Sequence, residues 1–272
     1  MSVCCAALMC HAPIVVPPIG GAEGAACRRT TEAMARLAER VVAHEPDRLV
    51  LISPHAPRDP TRFGVVCDER IAGSFARFGH SDVALELPGA PDAARAVVEQ
   101  AARRGVGCVT RSGADLDHGS MVPLWFLVQA GWRGSTLNVA LPYDEDPDGE
   151  AERALGGALR AASDALGERW AVVASGDMSH RVTPGAPAGF HPRASEFDRC
   201  FVAALEARDY SAACRPDPVL RELAAEDVVA STTVALAAAG FASDRGTVLS
   251  YEAPFGVGYA EALLYSDASG AP

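Results

Sequence analysis

The chain has 272 residues, with 24 basic against 35 acidic side chains and a formal net charge of −11 at pH 7, and it is long enough to bury a full core as one α/β domain over 1–272. Every basic residue is an arginine, since the sequence contains no lysine, which excludes Schiff-base chemistry, a P-loop lysine and serine/lysine hydrolysis. The acidic balance and the lack of any basic run remove the attraction that nucleic acid or an anionic membrane surface needs, so neither is an expected partner.

The eight cysteines form no C-x-x-C pair, and most lie inside apolar stretches, where a reduced cysteine behaves as a small hydrophobe. The apolar run from Val3 to Met9 lacks a basic region and a small-residue cleavage site, and no apolar stretch reaches the length of a membrane span. The expectation is therefore no export signal, no spanning helix and a reducing, cytoplasmic setting.

In chain order, residues 3–10 read as a strand that ends at His11 and enters a proline- and glycine-rich loop reaching Gly21. Ala33, Met34, Leu37, Val41 and Val42 recur at helical spacing, and Pro46 with Asp47 ends that helix. Leu49 to Ser53 predicts an inner strand buried on both faces. Pro54 and Pro57 stop it and hold His55 on a stiff loop at the carboxyl end, the edge where open α/β sheets bind ligands. A histidine there either serves a ligand or bonds nearby backbone.

Phe63 to Cys67, Val83 to Leu87 and Val106 to Thr110 read as strands, and Pro91 to Arg104 as a helix. The stretch from Ala114 to Leu127 passes from a polar, glycine-containing turn into an apolar segment suited to a helix behind a site. Thr136 to Leu141 is a strand and Glu150 to Leu166 a helix. Trp170 to Ala174 is a strand that runs straight into Ser175-Gly-Asp-Met-Ser-His180. Thr183 to Pro192 suits a loop beside a site. Helices follow over 193–207, 218–224 and 226–239, and closing strands over Thr247 to Tyr251 and Gly258 to Tyr265.

His11, His55, His118 and His180 all follow apolar strands or sit at glycine turns. Two imidazoles and a carboxylate leave three open positions on a metal, the facial triad of non-haem Fe(II) oxygenases. A hydrolytic zinc site uses the same ligand types, and residue type alone does not choose between them.

Five motifs in order, Cys10-His-Ala-Pro13, Ile52-Ser-Pro-His-Ala-Pro57, Leu116-Asp-His-Gly-Ser-Met-Val-Pro-Leu124, Ser175-Gly-Asp-Met-Ser-His-Arg181 and Val257-Gly-Tyr-Ala260, resemble the class III extradiol ring-cleavage dioxygenases of the LigB superfamily over nearly the whole chain. The resemblance implies an α/β fold with a mixed central sheet, helices on both faces and histidines at strand ends. It further implies Fe(II) held by His11 and His55 with a carboxylate, His180 as the acid/base, and His118 as a partner of substrate or oxygen. The implied reaction is cleavage of a catechol, gallate or aminophenol-like ring with O2. Copies of the same chain are expected as partners.

Two residues compete for the carboxylate position. Glu226 opens a helix as the family's ligand-bearing segment does, although close members tend to read Glu-Cys-Gly where this chain has Glu226-Asp-Val228; Glu252 ends a strand. The reading takes Glu226, whose other role would be to complement the helix dipole. Asp115, Asp117 and Asp177 lie beside the histidines and either orient an imidazole or cap the helices that follow. A Memo-like protein, a relative on the same fold known for partner binding and redox roles, is the rival reading, and a retained carboxylate favours the enzyme.

Overall fold

The computed structural model describes residues 3–144, 146–243 and 245–267. Its strands are β1 (Val3–Met9), β2 (Arg48–Ser53), β3 (Phe63–Val66), β4 (Arg70–Phe75), β5 (His80–Pro88), β6 (Cys108–Arg111), β7 (Ser135–Ala140), β8 (Trp170–Ser175), β9 (Thr247–Glu252) and β10 (Tyr259–Ser266). The helices are α1 (Pro17–Gly20), α2 (Arg28–Ala43), α3 (Pro91–Ala102), α4 (His118–Gln129), α5 (Glu150–Leu166), α6 (Ala194–Glu206), α7 (Tyr210–Ala213), α8 (Pro218–Ala224) and α9 (Val229–Ala238).

Eight strands form one mixed sheet in the order β6-β3-β7-β2-β8-β1-β10-β9. β7, β2, β8 and β1 run parallel at its centre, while β3 joins β7, β10 joins β1 and β9 joins β10 in antiparallel fashion. The central runs are apolar without alternation because both faces are covered. Along β2, Val50 and Ile52 enter one apolar cluster while Leu49 and Leu51 enter the other, the period-two signature of a two-sided strand. α3, α5, α6 and α9 cover the first face through residues such as Val97, Leu159, Phe201 and Val234; α2 and α4 cover the second through Met34, Leu37, Met121 and Leu124.

Parallel alignment brings the carboxyl ends of β2, β8 and β1 to one rim, side by side. His11 follows β1, His55 follows β2, and β8 lies between them. Most strands and helices fall where the sequence places them, with ends moved by a few residues. Three elements are additional: the four-residue helices α1 and α7, and β4, which pairs with β5 as a separate two-stranded hairpin. β4 reads Arg-Ile-Ala-Gly-Ser-Phe, too poor in β-branched residues to announce a strand. α9 begins at Val229 and not at 226, a shift that matters for the site. No helix among the described residues is long and apolar enough to cross a membrane.

Candidate metal centre

His11 and His55 leave strand ends on either side of β8 and turn toward each other, with their Nε2 atoms 3.1 Å apart. A carboxylate oxygen completes the group: Asp227 Oδ2 lies 3.5 Å from His11 Nε2 and 3.2 Å from His55 Nε2. Two ligand atoms roughly 2.1 Å from one ion and at right angles are about 3.0 Å apart. A triangle with edges of 3.1, 3.2 and 3.5 Å therefore fits three ligands on one face of an ion, with the opposite face open.

The orientation of His11 follows from one proton. Ser175 Oγ donates to the Gly119 carbonyl at 2.6 Å, so its oxygen is left to accept from His11 Nδ1–H at 3.0 Å. The ring's other nitrogen, Nε2, then faces the triangle, the orientation a ligand imidazole needs. Burial disfavours the His11 imidazolium, yet the Asp177 and Asp227 carboxylates outweigh it and hold the pKa up to about 9. At neutral pH a proton thus occupies Nε2, and a metal ion must displace it. Asp227, although burial acts the other way, is pushed well below the usual carboxylate range by His11 and His55.

The carboxylate beside the two imidazoles is Asp227, one residue after the Glu226 that the sequence points to. Glu226 accepts hydrogen bonds from the Val228 and Val229 amides at 2.7 and 2.9 Å and from the Arg221 guanidinium at 2.6 Å, which uses it to cap α9. Because α9 starts only at Val229, Asp227 is still in the turn and faces the sheet edge. Its Oδ1 accepts from the Asp177 amide at 2.7 Å, and its own amide donates to the Asp177 carbonyl at 3.2 Å. Gly176 permits this approach, since a Cβ there would lie 2.6 Å from Val228 Cα. Glu252, the other expected candidate, accepts from the Thr30 amide and hydroxyl at 2.8 and 2.7 Å and ties β9 to α2.

The remaining acids divide in the same way. Asp117 caps α4, accepting from the Ser120 amide and hydroxyl, and it takes a third bond from Ser53 Oγ at 2.6 Å. Ser53 Oγ in turn accepts from the His55 amide at 3.1 Å, so the cap also steadies the His55 backbone. Asp177 accepts from the His11 amide at 2.9 Å and does the same for His11. Asp115 is exposed.

His118 opens α4 and stacks on His55, with ring centroids 4.2 Å apart; the ligand nitrogens of His11, His55 and His118 all lie within 4.8 Å of one another. Burial, reinforced by the two neighbouring imidazoles, lowers its pKa to about 4, so it is neutral at pH 7. His180 faces the same cleft of about 620 Å³, and its Nδ1 is buried with no hydrogen-bond partner among the described residues. The structure therefore brings together His11, His55, His118 and His180 as the sequence motifs suggest, with Asp227 and not Glu226 at the centre.

Residues 5–261 match the family described as the catalytic LigB subunit of aromatic ring-opening dioxygenase. The chain belongs to this family. Protein CA_C1420 of Clostridium acetobutylicum is 28% identical over 261 residues, covering 93% of this chain and 55% of that protein, so the chain spans about half the length of this curated relative. Among solved structures, the crystal structure of uncharacterized protein JW3007 from Escherichia coli K12 aligns with a TM-score of 0.62 over 96% of this chain and 100% of that one. At 18% identity that likeness is one of fold.

Several residues of this LigB-family cleft carry no sequence signal of their own. Ser175 is an ordinary strand-end serine until its two partners are known. Phe78 and His80 reach the cleft from the β4–β5 hairpin, and Glu23 from the turn Glu23–Cys27. For Asp227 a signal does exist: where two acids precede a helix, the first can cap it and leave the second for another partner.

Proposed function

We propose that this LigB-family chain is a non-haem Fe(II)-dependent dioxygenase that opens the ring of a catechol-, gallate- or aminophenol-like substrate by extradiol cleavage with O2. The observation behind the reading is the triangle of His11 Nε2, His55 Nε2 and Asp227 Oδ2 with an open side toward the cleft. Fe(II) held there would supply adjacent positions for a chelating substrate and for O2, and the redox chemistry between them.

The protein's own residues supply geometry and proton control. His11, His55 and Asp227 would hold the ion, and Ser175 keeps the His11 proton on Nδ1 so that Nε2 stays available. His180, with a buried and unpartnered Nδ1, would take the proton that a substrate hydroxyl loses on chelation and return it during ring opening. His118, neutral at pH 7, offers a hydrogen bond beside the ion without adding a positive charge that would repel it.

Protein prepared without oxygen is expected to hold about one iron per chain and to consume O2 in proportion to ring loss for at least one member of a catechol, gallate and aminophenol panel. Asp227→Ala should lose the metal and Glu226→Gln should keep it. The opposite pattern would return the carboxylate to Glu226. An iron-replete protein inert across the whole panel would instead favour the Memo-like, partner-binding reading.

A further inference from the structure

The dioxygenase reading leaves the substrate's other substituents open, and the inference here rests on that reading. We propose that the cleft selects a chelating aromatic ring whose remaining substituent is neutral or cationic, and discriminates against one that carries a carboxylate. A carboxylate taken out of bulk water needs a cation or several aimed donors to replace its hydration. With no lysine anywhere in the chain, that cation would have to be arginine, and no arginine lines the cleft among the described residues.

The arginines closest in sequence to the site's segments, Arg77 beside Phe78 and Arg181 beside His180, do not line the cleft, and others nearby are committed elsewhere. Arg221 is bonded to Glu226, Arg111 to Asp59, and Arg58 to the Pro142 carbonyl while lying over the Tyr143 ring.

Apart from its five histidines and Tyr259, the cleft presents acidic and apolar groups. Asp177 lies at its floor, Glu23 stands at its exposed rim, and Ile14, Ile19 and Phe78 form uncharged wall. A carboxylate substituent would therefore meet Glu23 and Asp177 with no lysine or arginine among the described lining residues to offset them, whereas an ammonium group would meet Glu23. A single charge of this kind, several ångströms off and partly screened, shifts affinity roughly three- to tenfold.

The test separates binding from turnover. Iron-loaded protein is titrated by calorimetry, under anaerobic conditions and at low salt, with 4-ethylcatechol, 4-(2-aminoethyl)catechol and 3,4-dihydroxyphenylacetate, which share the chelating pair and differ in charge. The neutral and cationic compounds should bind about tenfold more tightly than the acid. Glu23→Gln should shrink the lead of the amine over the neutral compound, and Glu23→Arg should raise affinity for the acid. If the acid binds as well as 4-ethylcatechol, or Glu23→Arg leaves the order unchanged, charge selection is overturned while the dioxygenase reading stands. If none of the three binds the iron-loaded protein, both fall together.

Discussion

The floor of the cleft and its rim are built by different rules. On the floor, His11, His55 and Ser175 end or follow three neighbouring parallel strands, and each is held by hydrogen bonds that start from the sheet's own backbone geometry. The rim comes from outside that sheet: Glu23 from a short turn, and Phe78 and His80 from a two-stranded hairpin whose Phe78 is 44% exposed. Donor geometry is thus inherited from the main-chain ladder. What the donors receive is set by segments that can change sequence without disturbing the sheet.

The largest expected effect tests whether His180 belongs to the chemistry and not to the metal. His180→Ala should keep its iron and lose roughly 10²–10⁴-fold in turnover, the usual worth of a positioned acid/base. Metal analysis beside steady-state kinetics reads both quantities, and a variant that loses iron would make His180 a ligand and redraw the floor.

Floor and rim also differ in how far the sequence announces them. An apolar run that stops at a histidine between prolines, as at 49–57, marks a buried strand delivering a side chain to a sheet edge, and His11 and His180 follow similar runs. Local pattern reaches its limit at Glu226-Asp227. Which acid caps α9 and which faces the histidines depends on where the helix starts, and periodicity does not locate a helix start to one residue. The rim is harder still. β4 is weakly apolar, and nothing within residues 70–80 records that the hairpin folds over α4 to bring Phe78 within 5.5 Å of the His118 ring. For the fold itself, buried strands and their helices can be read from pattern, whereas the mixed sheet with its antiparallel edges is expected only through the resemblance.

A second measurement probes the support beneath the floor. Glu261 on β10 is fully buried, bonded by Ser250 Oγ, and burial raises its pKa from the ordinary 4.5 to about 8. Because the folded state holds this proton more tightly than the unfolded chain does, the unfolded chain releases it first as pH rises. Stability should fall between pH 4.5 and about 8 and level off above. Glu261→Gln keeps the shape and removes the titration, so the variant should gain on the wild type by on the order of 3 kcal/mol between pH 5 and pH 8 in urea unfolding. Parallel curves for the two proteins would show that Glu261 is ionised in the fold.

Smaller again is the effect of the hydroxyl that orients His11. Ser175→Ala removes the acceptor of the Nδ1 proton, which frees the ring to rotate and to change tautomer. Loss of such a partner costs roughly 10–100-fold in metal affinity. Competition with a chelator would measure it, and an unchanged affinity would mean that Asp177 and the backbone alone orient the ring.

The smallest effect belongs to the rim and closes the comparison. Phe78 touches His118 edge-on and contributes apolar wall to the cleft, but it holds none of the donor atoms. Phe78→Ala should therefore leave iron content and the rate at saturating substrate near wild type. It should raise KM about three- to tenfold, the value of one aromatic contact of about 1 kcal/mol. Because Phe78 also packs near Phe75, with ring centroids 6.3 Å apart, Phe78→Leu serves as a control that keeps the hairpin's apolar tip. If Phe78→Leu restores KM, the residue acts as wall. A fall in iron content in the alanine variant would instead show that the hairpin braces the His55–His118 stack, so that floor and rim are one mechanical unit.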